Sequence, residues 1–239
     1  MTDPKPVALV TGGAKRVGRA VVERLAQAGY AVAFTYHTSE DEADELAKKI
    51  DGAAICADLT DPEESVEHIR NSLSTFTDHV DVLVNNASLY RPMTLADTTL
   101  AESRQLMAIH YETPLLLTKS LAKMLRESRG HVINMVDVLA ERPWPQYMAY
   151  CASKAALVNL TLSLARELAP EVTVNGIAPG VVEWPPGYPQ AEKEKYLSRV
   201  PLARPGTPGD VAELVHFLVT TGTYITGQII RLDGGRALT

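Results

Sequence analysis

The 239-residue chain is 46% hydrophobic and 22% charged, the balance of one large α/β domain with a substantial core. A net charge of −6 argues against a nucleic-acid surface, which needs a basic face, but not against a small phosphate-bearing ligand. Two cysteines, Cys56 and Cys151, exclude a disulfide framework; a reducing compartment is expected, with both thiols as small buried filler. The chain opens on MTDPKP, which has neither the charged nor the apolar region of a signal peptide. With no apolar run of membrane-spanning length, a cytosolic protein without membrane or nucleic-acid partners is expected.

The first strand candidate is VALVTG (7–12), and TGGAKRVG (11–18) joins it to a helix over RAVVERLAQAG (19–29), closed by Gly29. Gly12 and Gly13 suit a tight turn, and Gly18 lets a helix N-terminus approach its ligand. After a buried strand, that arrangement points to a dinucleotide pyrophosphate; the Lys-Ser/Thr that would complete a P-loop is missing. The second strand, AVAFTY (31–36), runs into His37, Thr38 and Ser39. An acid there would bond both ribose hydroxyls of NAD, whereas this neutral and basic stretch, with Lys15 and Arg16 in the facing turn, favours the 2′-phosphate of NADP. Glu40, Asp41 and Glu42 read as the acidic start of the next helix. DEADELAKK (41–49) reads as a solvated helix face. The six histidines lack paired-ligand spacing, so no metal is expected.

Further strands are expected at AAICA (53–57), VDVLVN (80–85), HVINMV (131–136), VTVNGI (172–177) and QIIRL (228–232). Near-continuous apolar runs suit parallel strands covered on both faces. The implied fold is a single-domain Rossmann-like, doubly wound parallel sheet of about seven strands, helices on both faces, spanning 1–239. Within INMVDV (133–138) the buried strand stops on Asp137, a carboxyl group that is expensive to bury unpaired and whose pKa burial would raise. It serves either catalysis or the capping of a turn over VLAER. Tyr150 and Lys154 stand four apart at the start of the longest helical stretch (SKAALVNLTLSLARELA, 153–169, stopped by Pro170), hence on one face. An ammonium so placed is expected to lower the tyrosine pKa by roughly 1–3 units, making a general acid. From Pro179 to Pro201 the chain is too rich in proline to continue a sheet. It is expected to form a substrate loop near 180–201, acting as a lid, with Glu183 and Trp184 as its candidate contacts.

TGxxxxxG, NNAS (85–88), YxxxK, PG (179–180) and YITGQIIRLDGG (224–235) occur in the order that resembles the short-chain dehydrogenase/reductase superfamily over nearly the whole chain. The resemblance implies a nicotinamide cofactor and a homotetramer. Most members carry serine where this chain has Asp137. That acid, Arg16 in the glycine-rich turn, the YHTS stretch and Ser88 together resemble the pteridine reductases. The resemblance implies Asp137, Tyr150 and Lys154 as catalytic. It implies Gly12, Lys15, Arg16, Val17, Gly18, His37, Thr38 and Ser39 around the NADP phosphates and their turn, and Asp58 and Leu59 near the adenine. Asn86, Ala87, Ser88, Met135, Pro179 and Gly180 would line the cofactor with Tyr150 and Lys154, and Arg16, Ser88, Tyr90, Asp137 and Tyr150 would meet the substrate, Tyr90 by stacking. One departure is His110, four residues before Pro114, where the superfamily usually places an asparagine. The implied activity is NADPH-dependent reduction of a pterin or dihydrofolate-like C=N bond. A carbonyl or 3-oxoacyl-thioester reductase and a silent NADP-binding protein are the alternatives.

Overall fold

The computed structural model describes residues 5–185 and 187–239. Seven strands form one all-parallel sheet: β1 (Val7–Val10), β2 (Ala31–Tyr36), β3 (Ala53–Cys56), β4 (Val82–Asn85), β5 (His131–Met135), β6 (Thr173–Pro179) and β7 (Ile229–Leu232). Their order is β3-β2-β1-β4-β5-β6-β7. The order reverses between β1 and β4, and the crevice beyond the carboxyl ends of those two strands is where open α/β sheets take ligands.

Among the described residues the α-helices are α1 (Arg16–Gln27), α2 (Glu40–Ile50), α3 (Pro62–Phe76), α4 (Leu100–Met107), α5 (Thr113–Glu127), α6 (Met148–Glu167), α7 (Gln190–Leu197) and α8 (Pro208–Thr220). Successive strand side chains alternate between two cores. Ala8, Val10, Val32, Phe34, Val82 and Val84 pack under α1, α2 and α8. Leu9, Ala33 and Leu83 pack under α3, α5 and the end of α6. Both faces being covered is why the strands read as unbroken apolar runs.

Boundaries differ from the sequence expectations in instructive places. Helix α1 starts at Arg16, so Gly18 lies inside its first turn. Helix α6 starts at Met148, putting Tyr150 and Lys154 in its first two turns. Strand β6 runs on through Pro179. Gly176 donates to Gln228, just before β7, and Gly180 to Leu232, so the proline nitrogen faces the β5 side, where that strand has ended at Met135 and needs no donor. The proline-rich loop is not wholly irregular, because EKEKYL carries good helix formers and forms most of α7; its Pro186 lies outside the described residues. Cys151 is buried as expected, but Cys56 is exposed, since β3 is the sheet edge. Helix α6 is long and apolar enough to cross a membrane by length and composition, with mean hydropathy 1.2, yet half of that stretch is buried inside the fold.

Candidate active site

The glycine-rich turn is stapled to the end of β4. Thr11 Oγ1 accepts from the backbone N–H groups of Asn86 (2.9 Å) and Ala87 (3.0 Å), while Asn86 Nδ2 donates to the carbonyls of Thr11 and Gly12. Gly12 has φ +64° and donates to Thr35 Oγ1 at 3.0 Å. At Gly18 a Cβ would lie 2.0 Å from the Gly12 carbonyl oxygen, so only glycine lets the helix start this close to the turn. The result is an α-helix N-terminus with free N–H groups beside the switch point, the feature an anionic pyrophosphate requires. Gly12, Val17, Gly18, Asn86 and Ala87 are thus brought together. Thr11 and Thr35, which hold the turn, were missed; the TG dipeptide was the available signal.

Lys15, Arg16, His37, Thr38 and Ser39 gather at the carboxyl end of β2 and the facing turn. The acids Glu40, Asp41 and Glu42 fall in the first turn of α2 as expected. One of them pairs with Lys15: Glu42 Oε1 is 2.7 Å from Lys15 Nζ. His37 Nε2 lies 3.9 Å from Asp58 Oδ2, and Asp58 closes a turn by accepting from the Thr60 N–H at 3.0 Å. Leu59 is buried, its carbonyl accepting from Thr113 Oγ1. Arg16 spans the crevice, its Nε 2.7 Å from Glu183 Oε2 in the loop after β6. On the far side, Gly180 is packed so that a Cβ would meet Asp233 and the Tyr196 hydroxyl at 3.1 Å.

At the centre, β5 ends at Met135 and not at Asp137; Asp137 is the cap of a single 3-10 turn over Val138–Ala140. Its two oxygens do different things. Oδ1 accepts from the Leu139 N–H at 2.8 Å, whereas Oδ2 accepts from the Tyr150 hydroxyl at 2.7 Å. The turn cap and the contact with Tyr150 therefore fall on separate oxygens of one carboxyl group. Burial raises its pKa, opposed by those two hydrogen bonds and by Lys154.

The expected depression of the Tyr150 pKa is not what the structure shows. Burial, then the Asp137 carboxylate, push the phenol well above its ordinary value. The Lys154 ammonium is 5.8 Å from the ring centroid and donates to the Met135 carbonyl at 2.8 Å, so it does not touch the phenol oxygen. Its own pKa falls to about 8, through burial. Tyr150 is held as a phenol that donates to a carboxyl group whose own pKa burial raises.

Aromatic rings wall the crevice. Tyr90, 46% exposed, stacks on Tyr147 (centroids 4.6 Å apart) and meets Tyr150 edge-on at 4.9 Å. In the loop after β6, Trp184 stacks on Tyr188 at 4.8 Å and packs edge-on against Tyr196 of α7 at 5.4 Å. Tyr147 was missed by sequence reasoning, although it lies one turn before Tyr150. His110 sits in a π-helical segment, Ala108–Glu112, between α4 and α5. Pro114 lacks the N–H that would bond the His110 carbonyl in an α-helix, and the ladder widens there. The segment delivers a buried imidazole to Ser88 and Ser153. Among the described residues no group of His, Cys, Asp and Glu has a metal-binding arrangement.

A family profile described as enoyl-(acyl carrier protein) reductase matches residues 12–237. The 3-oxoacyl-[acyl-carrier-protein] reductase FabG of Aquifex aeolicus is 34% identical over 238 residues, covering 96% of each chain. Its namesake from Staphylococcus aureus is 36% identical, covering 95% of this chain and 96% of its own. Among solved structures, acetoin dehydrogenase YohF from Salmonella typhimurium superposes with a TM-score of 0.89 at 32% identity, covering 99% of this chain and 97% of its own. Acetoin dehydrogenase from Enterobacter cloacae gives 0.90 at 30%, with the same coverage. These relatives bear the names of 3-oxoacyl reductases and acetoin dehydrogenases, so they show the superfamily and not the finer resemblance to pteridine reductases. With the sheet order, the glycine turn and the Tyr150–Lys154 pair in place, the chain belongs to the short-chain dehydrogenase/reductase superfamily, a family of oxidoreductases.

Proposed function

We propose that this protein is an NADPH-dependent reductase of a C=N bond in a pterin or dihydrofolate-like substrate. The carrying observation is the 2.7 Å hydrogen bond from Tyr150 to Asp137, a carboxyl group whose pKa burial raises. Reducing C=N places a proton on nitrogen, and a carboxyl group that retains its proton can replenish the phenol that donates it. A serine hydroxyl at the same position can donate a hydrogen bond but is too weak an acid to be a proton reservoir. The exposed face of Tyr90 beside that phenol offers a planar surface to a flat heterocycle.

The residues present fit a dinucleotide: the crowded Gly12–Gly18 contact opens a helix N-terminus to the pyrophosphate. Lys15, Arg16, His37, Thr38 and Ser39, with no acid ending β2, favour a 2′-phosphate. When bound, the nicotinamide supplies the hydride. Tyr150 then donates the proton, Asp137 accepts the phenol hydrogen bond and passes a proton back, and the Lys154 ammonium, anchored on Met135, supports the phenolate electrostatically.

A second reading, reduction of a carbonyl or 3-oxoacyl thioester, is favoured by the 34–36% identity to 3-oxoacyl reductases. There a protonated Asp137 would donate to the carbonyl oxygen. The deciding measurement is NADPH oxidation with dihydrobiopterin and dihydrofolate on one side and an acetoacetyl thioester on the other. Turnover of the pterins is expected; turnover of the thioester alone would replace the first reading with the second.

A further inference from the structure

We propose that His110 is a positioning residue that locks the Ser88 hydroxyl as a hydrogen-bond acceptor toward the pocket, so that the site selects substrates presenting an N–H group there. The proposal rests on the reductase reading above and adds the polarity of the substrate edge.

The imidazole is 1% exposed. Its Nε2 lies 2.8 Å from Ser88 Oγ and 3.3 Å from the Leu89 backbone nitrogen, and its Nδ1 lies 2.8 Å from Ser153 Oγ. A backbone N–H can only donate, so Nε2 must be the bare, accepting nitrogen and Nδ1 must carry the proton. The rest of the network agrees. Nδ1–H donates to Ser153 Oγ, and the Ser153 hydroxyl spends its own hydrogen on the Tyr150 carbonyl at 2.8 Å. Ser88 has one hydrogen, and the imidazole takes it. Burial and the nearby Lys154 ammonium hold the His110 pKa well below its ordinary value, so the ring stays neutral and accepting.

Ser88 itself is exposed, and the His110 ring it touches meets the Tyr150 ring edge-on at 5.4 Å. With its hydrogen turned inward, its lone pairs point outward. On the other side, Asp137 Oδ2 accepts from that phenol. A substrate carbonyl oxygen placed against Ser88 would meet lone pairs, whereas a ring N–H or amino group finds a partner. An asparagine at position 110 could turn its amide NH2 toward Ser88 and release that hydroxyl to donate.

Two measurements on the full-length protein test the idea, neither of which needs turnover. With 15N-labelled histidine, assigned through the His110→Asn variant, the long-range 1H–15N spectrum should show His110 as the neutral Nδ1–H tautomer from about pH 8 down to about pH 5, while a free histidine would charge near 6.5. An Nε2–H tautomer, or an imidazolium at pH 6, overturns the proposal. In NADPH-saturated protein, 2-aminopyrimidine should bind roughly tenfold or more tightly than 2-methylpyrimidine. That preference should collapse in Ser88→Ala and in His110→Asn, each compared at its own saturating NADPH, and His110→Asn should retain the parent's NADPH affinity. An unchanged preference in either variant also overturns it. Absence of pterin turnover alongside the expected tautomer and preference would sink the functional reading instead.

Discussion

Asp137 sits between Tyr150 and Lys154: beside the dominant effect of burial, its charge raises the phenol pKa and opposes the fall of the lysine pKa. On the proposed role of the Asp137 carboxyl as proton reservoir, Asp137→Ser should lower pterin turnover by about 10²–10⁴-fold, the usual worth of a positioned acid, while NADPH affinity, read by fluorescence titration, stays near that of the parent. Turnover equal to the parent's would reduce Asp137 to the cap of its 3-10 turn. Lys154 gives a pH signature. Its folded pKa, about 8, lies below the ordinary 10.5, so the stability it contributes is complete above 10.5 and is lost as pH falls through 8. In Lys154→Met, which abolishes that titration, the melting temperature relative to the parent should therefore move in the parent's favour as pH rises from about 7 to about 10. A difference independent of pH would show that Lys154 is not charged at a cost in the native state.

At the scale of elements, the site is assembled from the ends of β1, β4 and β5 and the beginnings of α1 and α6, and its tolerances are those of backbone contact. Gly18 is the narrowest point, where an added methyl would stand 2.0 Å from the Gly12 carbonyl. Gly18→Ala must push α1 away from the turn, which should cost about 1–3 kcal/mol of stability by denaturant melt and weaken NADPH binding at the same time. Loss of stability with unaltered NADPH affinity would separate the helix start from the cofactor cradle. The glycines of this turn and the β1–α1 order were legible because only a few residue types solve that geometry. The displaced starts of α1 and α6 were not: Lys15 and Tyr147, which precede these helices, make no side-chain cap bond, so no capping signal marked them. Nor was α7, because the prolines before it masked a short run of helix formers.

In the molecule as a whole, Arg16 links the first βα turn to the loop after β6, 167 positions away, through Glu183. In the proposed cofactor reading it also meets the 2′-phosphate. Arg16→Ala should weaken NADPH by roughly 1.5–3 kcal/mol, the worth of a charge-assisted bond, and NADH far less; equal losses would assign Arg16 to holding the loop and not to the phosphate. The outer surface leaves Leu162, Phe217 and Tyr224 exposed on and after the long helices. Light scattering is expected to give about four times the 26.0 kDa chain mass, and a monomer would remove the tetramer expectation.

The sequence by itself determined the parallel sheet, the dinucleotide turn and the superfamily, because these follow from local rules: buried parallel strands must be apolar on both faces, and a tight turn against a helix N-terminus must be glycine. It also determined which residues, Asp137, Tyr150 and Lys154, belong together. Only the tertiary structure decided their state. The sequence argued that a lysine one turn away would acidify the tyrosine, yet packing sends the ammonium to the Met135 carbonyl and gives the phenol a carboxyl partner in a buried setting, which shifts its pKa the opposite way. Likewise, nothing in the order of residues shows that a π-helical turn sets His110 between two serines. Ionisation and hydrogen-bond direction depend on desolvation and on neighbours distant in the chain, and those exist only once the fold has formed.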